Sequence, residues 1–211
     1  MERPRTYTGL GVMLVALGGL FLLQNFGFLG DIGNFIWATL FGLGGLAFLW
    51  VFIANREQWW ALIPGFALLG LAGTLFLSDL DIAGGLTGGF FLGSIGMAFL
   101  IIYIIRREHW WAIIPAGALL TLALVATVSS SLPGEVGGSI FSFGLAATFG
   151  ALYLLPTPMD RQSWPLIPAG ILAIIGMLVL ASGGNMLGLV IPFVLMALGG
   201  IIVFRAITQR Q

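Results

Sequence analysis

The chain has 211 residues, of which 59% are hydrophobic and only 8% charged, with a formal net charge of zero. Water-soluble domains draw on roughly 25% charged residues to cover their surface, so a soluble globular fold is excluded. There is no cysteine, which removes disulfides and thiolate metal sites. No basic run is present that could track a phosphate backbone, so no nucleic-acid partner is expected.

The first five residues, Met1-Glu-Arg-Pro-Arg5, precede an apolar run at 8–29. That run is too long for the core of a signal peptide, and no small-x-small cleavage site comes before Asp31, so it reads as an uncleaved first helix. Further apolar runs follow at 33–54, 59–77, 84–105, 110–128, 138–155, 164–181 and 185–204. Each is close to the ~20 residues a helix needs to cross the hydrocarbon. Backbone in lipid must satisfy its own hydrogen bonds, and continuous apolarity without period-two alternation is incompatible with a β-barrel. The sequence therefore predicts an all-α polytopic membrane protein. It has about eight transmembrane helices in a single transmembrane domain over 1–211, with short connections that make consecutive helices antiparallel neighbours.

The arginines segregate. Arg3 and Arg5 precede the first run, Arg56 separates the second and third, Arg106 and Arg107 the fourth and fifth, and Arg161 the sixth and seventh; Arg205 and Arg210 follow the eighth. The alternate connections hold only Asp31, Asp79, Asp81 and Glu135, and the chain has no lysine. Basic residues in short loops mark the cytoplasmic side, so both termini are expected in the cytoplasm. The expected localisation is the cell membrane, and the lipid bilayer is the first expected partner.

A segment recurs. Arg56-Glu-Gln-Trp-Trp-Ala-Leu-Ile-Pro64-Gly returns as Arg107-Glu-His-Trp-Trp-Ala-Ile-Ile-Pro115-Ala, and in degraded form as Arg161-Gln-Ser-Trp-Pro-Leu-Ile-Pro168-Ala. A faint first copy surrounds Tyr7. The even-numbered runs repeat a small-x-x-Gly step at Gly42/Gly45, Gly93/Gly96, Ala147/Gly150 and Ala197/Gly200. Fixed-period self-similarity of this kind marks a repeat architecture. The expectation is four helical hairpins of ~51 residues, approximately 1–55, 56–106, 107–160 and 161–211, all pointing the same way.

The recurring residues have structural readings. Trp59, Trp60, Trp110, Trp111 and Trp164, beside Arg56, Arg106, Arg107 and Arg161, read as interfacial anchors; a lipid-headgroup contact made of Trp faces and Arg is the alternative. Pro64, Pro115 and Pro168 read as helix starts, where a missing N–H costs little. Gly42, Gly45, Gly89, Gly93, Gly96, Gly150 and Gly200 read as helix-packing positions, because small residues let backbones approach in lipid. Gln24 and Asn25, near the end of the first run, can cap it or bridge to the next helix.

No chemistry stands out. His109 is the only histidine, and a zinc site needs three or four ligands, so no metal site and no cofactor are expected. No Asp, Glu, Lys or Arg lies mid-span, which removes the usual proton relays and counter-charges. Ser139, Ser142 and Ser129–Ser131 have no base partner in the sequence. The chain is expected not to be an enzyme.

Residues 9–29, Gly-Leu-Gly-Val-Met-Leu-Val-Ala-Leu-Gly-Gly-Leu-Phe-Leu-Leu-Gln-Asn-Phe-Gly-Phe-Leu, resemble the LiaI–LiaF-like transmembrane region family, with its glycine-rich stretch followed by Phe-Leu-Leu-x-Asn-x-Gly and a second helix. The likeness covers about residues 7–52. It implies a bacterial membrane module tied to envelope-stress sensing, and it implies no site residues because the motif is structural. The function expected is thus a non-catalytic integral membrane module: an envelope-stress sensor, or a scaffold that binds another membrane protein or itself as a homo-oligomer. The competing expectation is a transporter or channel for a neutral or amphipathic small solute.

Overall fold

The computed structural model describes residues 3–28, 32–79, 84–128, 134–155 and 163–181. These form α1 (Arg3–Asn25), α2 (Ile32–Ala54), α3 (Leu62–Asp79), α4 (Gly84–Ile105), α5 (Ile113–Val128), α6 (Gly134–Leu154) and α7 (Leu166–Ala181). Short 3-10 turns at Trp59–Ala61 and Trp110–Ala112 lead into α3 and α5. No strand occurs among the described residues.

Five helical stretches are long and apolar enough to cross a membrane: Gly33–Ala54, Trp59–Ser78, Leu86–Ile105, Trp110–Val128 and Val136–Leu154. Large apolar side chains such as Val15, Trp50, Leu154 and Ile167 project outward from the helices. An exposed apolar surface of that extent needs hydrocarbon around it. The chain is a helical membrane protein. The run at 185–204, together with Arg161, Gly200, Arg205, Arg210 and Ser129–Ser131, lies outside the described residues.

The helix ends have local causes. The first helix stops at Asn25, earlier than its apolarity predicts, because Gly27 adopts a positive φ of 75°. Phe28 N–H then donates to the Leu23 carbonyl at 3.0 Å, and Gly27 N–H to that of Gln24 at 3.0 Å. This is a Schellman cap, which a Cβ at Gly27 would oppose. The sixth helix starts at Gly134, four residues before the expected 138.

The third and fifth helices were expected to begin at their tryptophans. Each Trp-Trp-Ala instead forms a 3-10 turn, and the α-helices begin at Leu62 and Ile113, three residues after the expected starts. Gln58 N–H bonds to the Asn55 carbonyl, and Ala61 N–H to that of Gln58, both at 3.0 Å; 51 residues on, His109 and Ala112 repeat these bonds to Arg106 and His109 at 3.0 Å. Bonds spanning three residues wind the chain more tightly than an α-helix, which lets it reverse within a few residues. Pro64, Pro115 and Pro168 are each the third residue of the following α-helix, where their missing N–H has no intrahelical partner to lose.

The helices pack in chain order: α2 on α3, α3 on α4, α4 on α5, α5 on α6 and α6 on α7. The glycine contacts show that neighbours run antiparallel. On α2 and α3, Gly45 faces Leu69 while Gly42 faces Ala72; on α4 and α5, Gly96 faces Leu120 while Gly93 faces Ala123. The first helix meets the second through Gln24, whose Oε1 accepts from Trp37 Nε1, and through Phe21, whose ring centroid is 4.4 Å from that of Trp37.

Burial concentrates where the two Trp-Trp turns lie. Phe52, Ala61, Leu62, Ala98, Ile102, Tyr103, Ala112, Ile113 and Leu152 form one buried cluster. It draws on α2 to α6, so the turn end is the best-consolidated part of the molecule.

Candidate functional site

The residues with the most chemical character gather at the turn end. The two turns touch directly: Arg106 Nη2 donates to the Arg56 carbonyl at 3.3 Å and Arg106 Nη1 pairs with Glu108 at 3.2 Å. The His109 ring lies 4.4 Å from Trp59 and 6.1 Å from Trp111. Its Nδ1 is buried without a hydrogen-bond partner. Three-ligand metal clusters are not found among the described residues.

Each Trp-Trp pair divides its labour. Trp59 and Trp110 pack against the buried cluster, whereas Trp60 and Trp111 are 48% and 38% exposed. The outer indoles meet a phenylalanine on the preceding helix edge to face. Phe48–Trp60 has centroids 6.2 Å apart at 74°, Phe99–Trp111 6.1 Å at 73°, and Phe149–Trp164 6.2 Å at 74°. Trp164 therefore takes the place of the second tryptophan, not the first. These phenylalanines escape a reading from sequence because nothing marks them among the chain's 17.

The arginines are seated on aromatic rings. The Arg56 guanidinium lies 4.8 Å over Phe52 and that of Arg107 4.6 Å over Tyr103. A cation held on a ring at the interface is stabilised by roughly 0.5–1 kcal/mol. Tyr103 is itself buried, and its hydroxyl has no hydrogen-bond partner.

The packing glycines sort by what a side chain would meet. At Gly45 and Gly96 a Cβ would strike Leu69 and Leu120, and at Gly89 it would strike Thr127. Gly42 and Gly93 sit at ordinary contact distance from Ala72 and Ala123, 3.8 and 3.6 Å. A side chain at Gly150 would meet nothing within 4 Å. Closer approaches that the small-x-x-Gly step does not mark occur at Gly117 against Thr148 and at Gly144 against Thr121.

Hydroxyls within the spans are committed to their own helices. Thr74, Thr121, Thr127, Ser142 and Thr148 each donate to the carbonyl four residues earlier, at 2.7 to 2.9 Å. Such back-bonding removes the need for a polar partner in lipid. Ser139 donates to the Val136 carbonyl at 2.9 Å.

Grooves lie between the helices. One of about 480 Å³ runs along α3 and α4 past Phe66, Gly70, Phe90 and Ser94. Another of about 340 Å³ runs between α5 and α6 beneath Tyr103. A third, about 630 Å³, lies between α1 and α2 and is lined by Phe21, Gln24, Asn25 and Trp37. No protein-family model, curated protein or solved structure matches the chain.

Proposed function

We propose that the chain is a non-catalytic integral membrane module, an envelope-stress sensor or scaffold of the bacterial cytoplasmic membrane. In this reading it is built as four hairpin repeats with eight spans and both termini in the cytoplasm. The observation that carries the reading is the packing in chain order, which leaves long apolar faces outward. On α7, Ile167, Ile171, Ile174 and Met177 follow one helical face and are 53–68% exposed. Membrane helices associate through packing and local hydrogen bonds rather than a hydrophobic force, so such a face can exchange lipid for the helix of another protein. The recurring turn bonds 51 residues apart and the three matched Phe–Trp pairs support the repeat.

The test is photo-crosslinking in cells from position 171, combined with deletion of the gene under an envelope-stress reporter. A crosslink to a second membrane protein, or to another copy, together with an altered reporter response supports the reading. Adducts to lipid only, with an unchanged reporter, remove it.

A further inference from the structure

Two positions 51 residues apart, Phe52 and Tyr103, differ by one oxygen atom. Phe52 is 5% exposed beneath Arg56, and Tyr103 is 3% exposed beneath Arg107. Both rings belong to the same buried cluster. Phe52 demonstrates that this seat is filled without a hydroxyl, so packing does not account for the one on Tyr103. A buried O–H with no partner costs about 1–3 kcal/mol, and the Tyr103 hydroxyl has none.

A second difference falls beside the first. Counting 51 residues from Phe66, whose ring lines the α3–α4 groove, leads to Gly117 in the α5–α6 groove. The exchange replaces a phenyl ring by a hydrogen, and Thr148 takes up the space at Gly117 itself. The groove beside it is walled by Ala116, Gly117, Gly144, Ala147 and Leu155, with Tyr103 at its turn end. Thr121 and Thr148 also line it, but their protons go to the Gly117 and Gly144 carbonyls. That leaves the phenol as the wall's uncommitted donor.

We propose that this groove seats one acyl chain of an anionic glycerophospholipid. Tyr103 donates to an ester carbonyl, and Arg107 faces the phosphate. Three features select this occupant. The walls are apolar over about two helical turns, from Ile113 to Thr121, or ~12 Å of chain length. The phenol lies at the turn end, where ester groups meet hydrocarbon. The nearby acid, Glu108, is engaged by Arg106, so the positive charge of Arg107 is available to a phosphate, and basic residues near a membrane surface attract anionic headgroups. The hydroxyl is buried in the unliganded chain, so donation to the ester requires the Tyr103 ring to turn into the groove it lines. The inference needs the chain to be embedded in a membrane and does not depend on which leaflet the turn end faces.

The test is native mass spectrometry of the full chain in detergent, titrated with phosphatidylglycerol and with phosphatidylcholine of the same acyl chains. The wild type is expected to take up one phosphatidylglycerol before phosphatidylcholine, with no competition from inorganic phosphate. Tyr103→Phe is expected to weaken that first site roughly three- to tenfold, the loss of one hydrogen bond, while holding or raising the melting temperature of the lipid-free chain. Ala147→Leu, which fills the groove from an exposed position, is expected to abolish it. The proposal is overturned if either variant binds phosphatidylglycerol like the wild type, if the two lipids bind equally, or if inorganic phosphate competes. Unfolding of Tyr103→Phe also overturns it, because the hydroxyl would then be structural.

Discussion

Thr148 on α6 occupies the space that a side chain at Gly117 on α5 would need, and Thr121 on α5 does the same to Gly144 on α6. The relationship is reciprocal. Each helix presents a glycine with a threonine four residues later, and the antiparallel pairing sets each threonine on the other's glycine. Each hydroxyl also donates to the carbonyl of its own helix's glycine, at 2.7 and 2.8 Å. The backbones can approach because the glycines have no Cβ, and the threonines can enter lipid because their protons are already used.

Replacing either glycine should therefore destabilise the pair. Gly117→Ala and Gly144→Ala are each expected to cost about 1–3 kcal/mol, the usual penalty for overpacking, read as a lower melting temperature in detergent. Gly150→Ala is the control: a Cβ there meets nothing within 4 Å, and Ala is favoured over Gly inside a helix by roughly 0.5–1 kcal/mol. It should hold or raise the melting temperature. Equal losses at all three positions would mean that the clasp does not set the spacing of α5 and α6.

The edge-to-face pairs invite a direct measurement. A double-mutant cycle on Phe99→Leu and Trp111→Leu should return a coupling of about 0.5–1.5 kcal/mol, the range for aromatic pairs beyond their buried area. Phe48 with Trp60 should return a similar value, since its separation of 6.2 Å and angle of 74° nearly match the 6.1 Å and 73° of Phe99 with Trp111. Additive behaviour in both cycles would show that the rings are neighbours without an energetic link.

Much of this arrangement is legible in the residues, and its limits have physical reasons. Uninterrupted apolarity and the Arg56 and Arg107 turns give the helical class and most helix positions, because lipid leaves the backbone few options. Hydropathy cannot mark where α1 ends, since Phe26 and Phe28 are as apolar as the helix; the stop depends on the φ of Gly27. A small-x-x-Gly step identifies Gly45 and Gly96 as close approaches but also picks out Gly150, which faces open space. Spacing along one helix does not say which partner faces it. The role of Gln24 as a bridge to the next helix is readable as a possibility of its amide, but its partner Trp37 is one of seven tryptophans and becomes identifiable only once the helices are paired.

That bridge, together with the Phe21–Trp37 ring contact, ties α1 to α2. Gln24→Leu removes the acceptor for Trp37 Nε1 and leaves the buried indole N–H without it. An intramembrane hydrogen bond averages about 0.6 kcal/mol, so the change should loosen α1 without unfolding the chain. The native chain has no cysteine, so spin labels placed at positions 15 and 40 are the only ones present. Their distance distribution should broaden in Gln24→Leu and in Trp37→Phe, and no further when the two are combined. A narrow, unchanged distribution would assign the α1–α2 attachment to the Phe21–Trp37 ring contact alone.

The same lack of native thiols allows a test of sidedness that needs no other substitution. Glu57 and Glu108 are exposed in the two turns that meet through the Arg106–Arg56 hydrogen bond, and Phe28, in the cap that follows α1, is 77% exposed. With α2 and one hairpin separating these sites, Glu57→Cys and Glu108→Cys must share a side of the membrane, and Phe28→Cys must take the other. If the arginine-bearing turns are cytoplasmic, the side that a bias of basic residues in short loops favours, a membrane-impermeant maleimide on intact cells should label position 28 and spare positions 57 and 108. Permeabilised cells should give all three. Labelling of 57 and 108 from opposite sides would break the antiparallel pairing of α3 with α4, and labelling of both from outside, with 28 spared, would invert the orientation while leaving the fold intact.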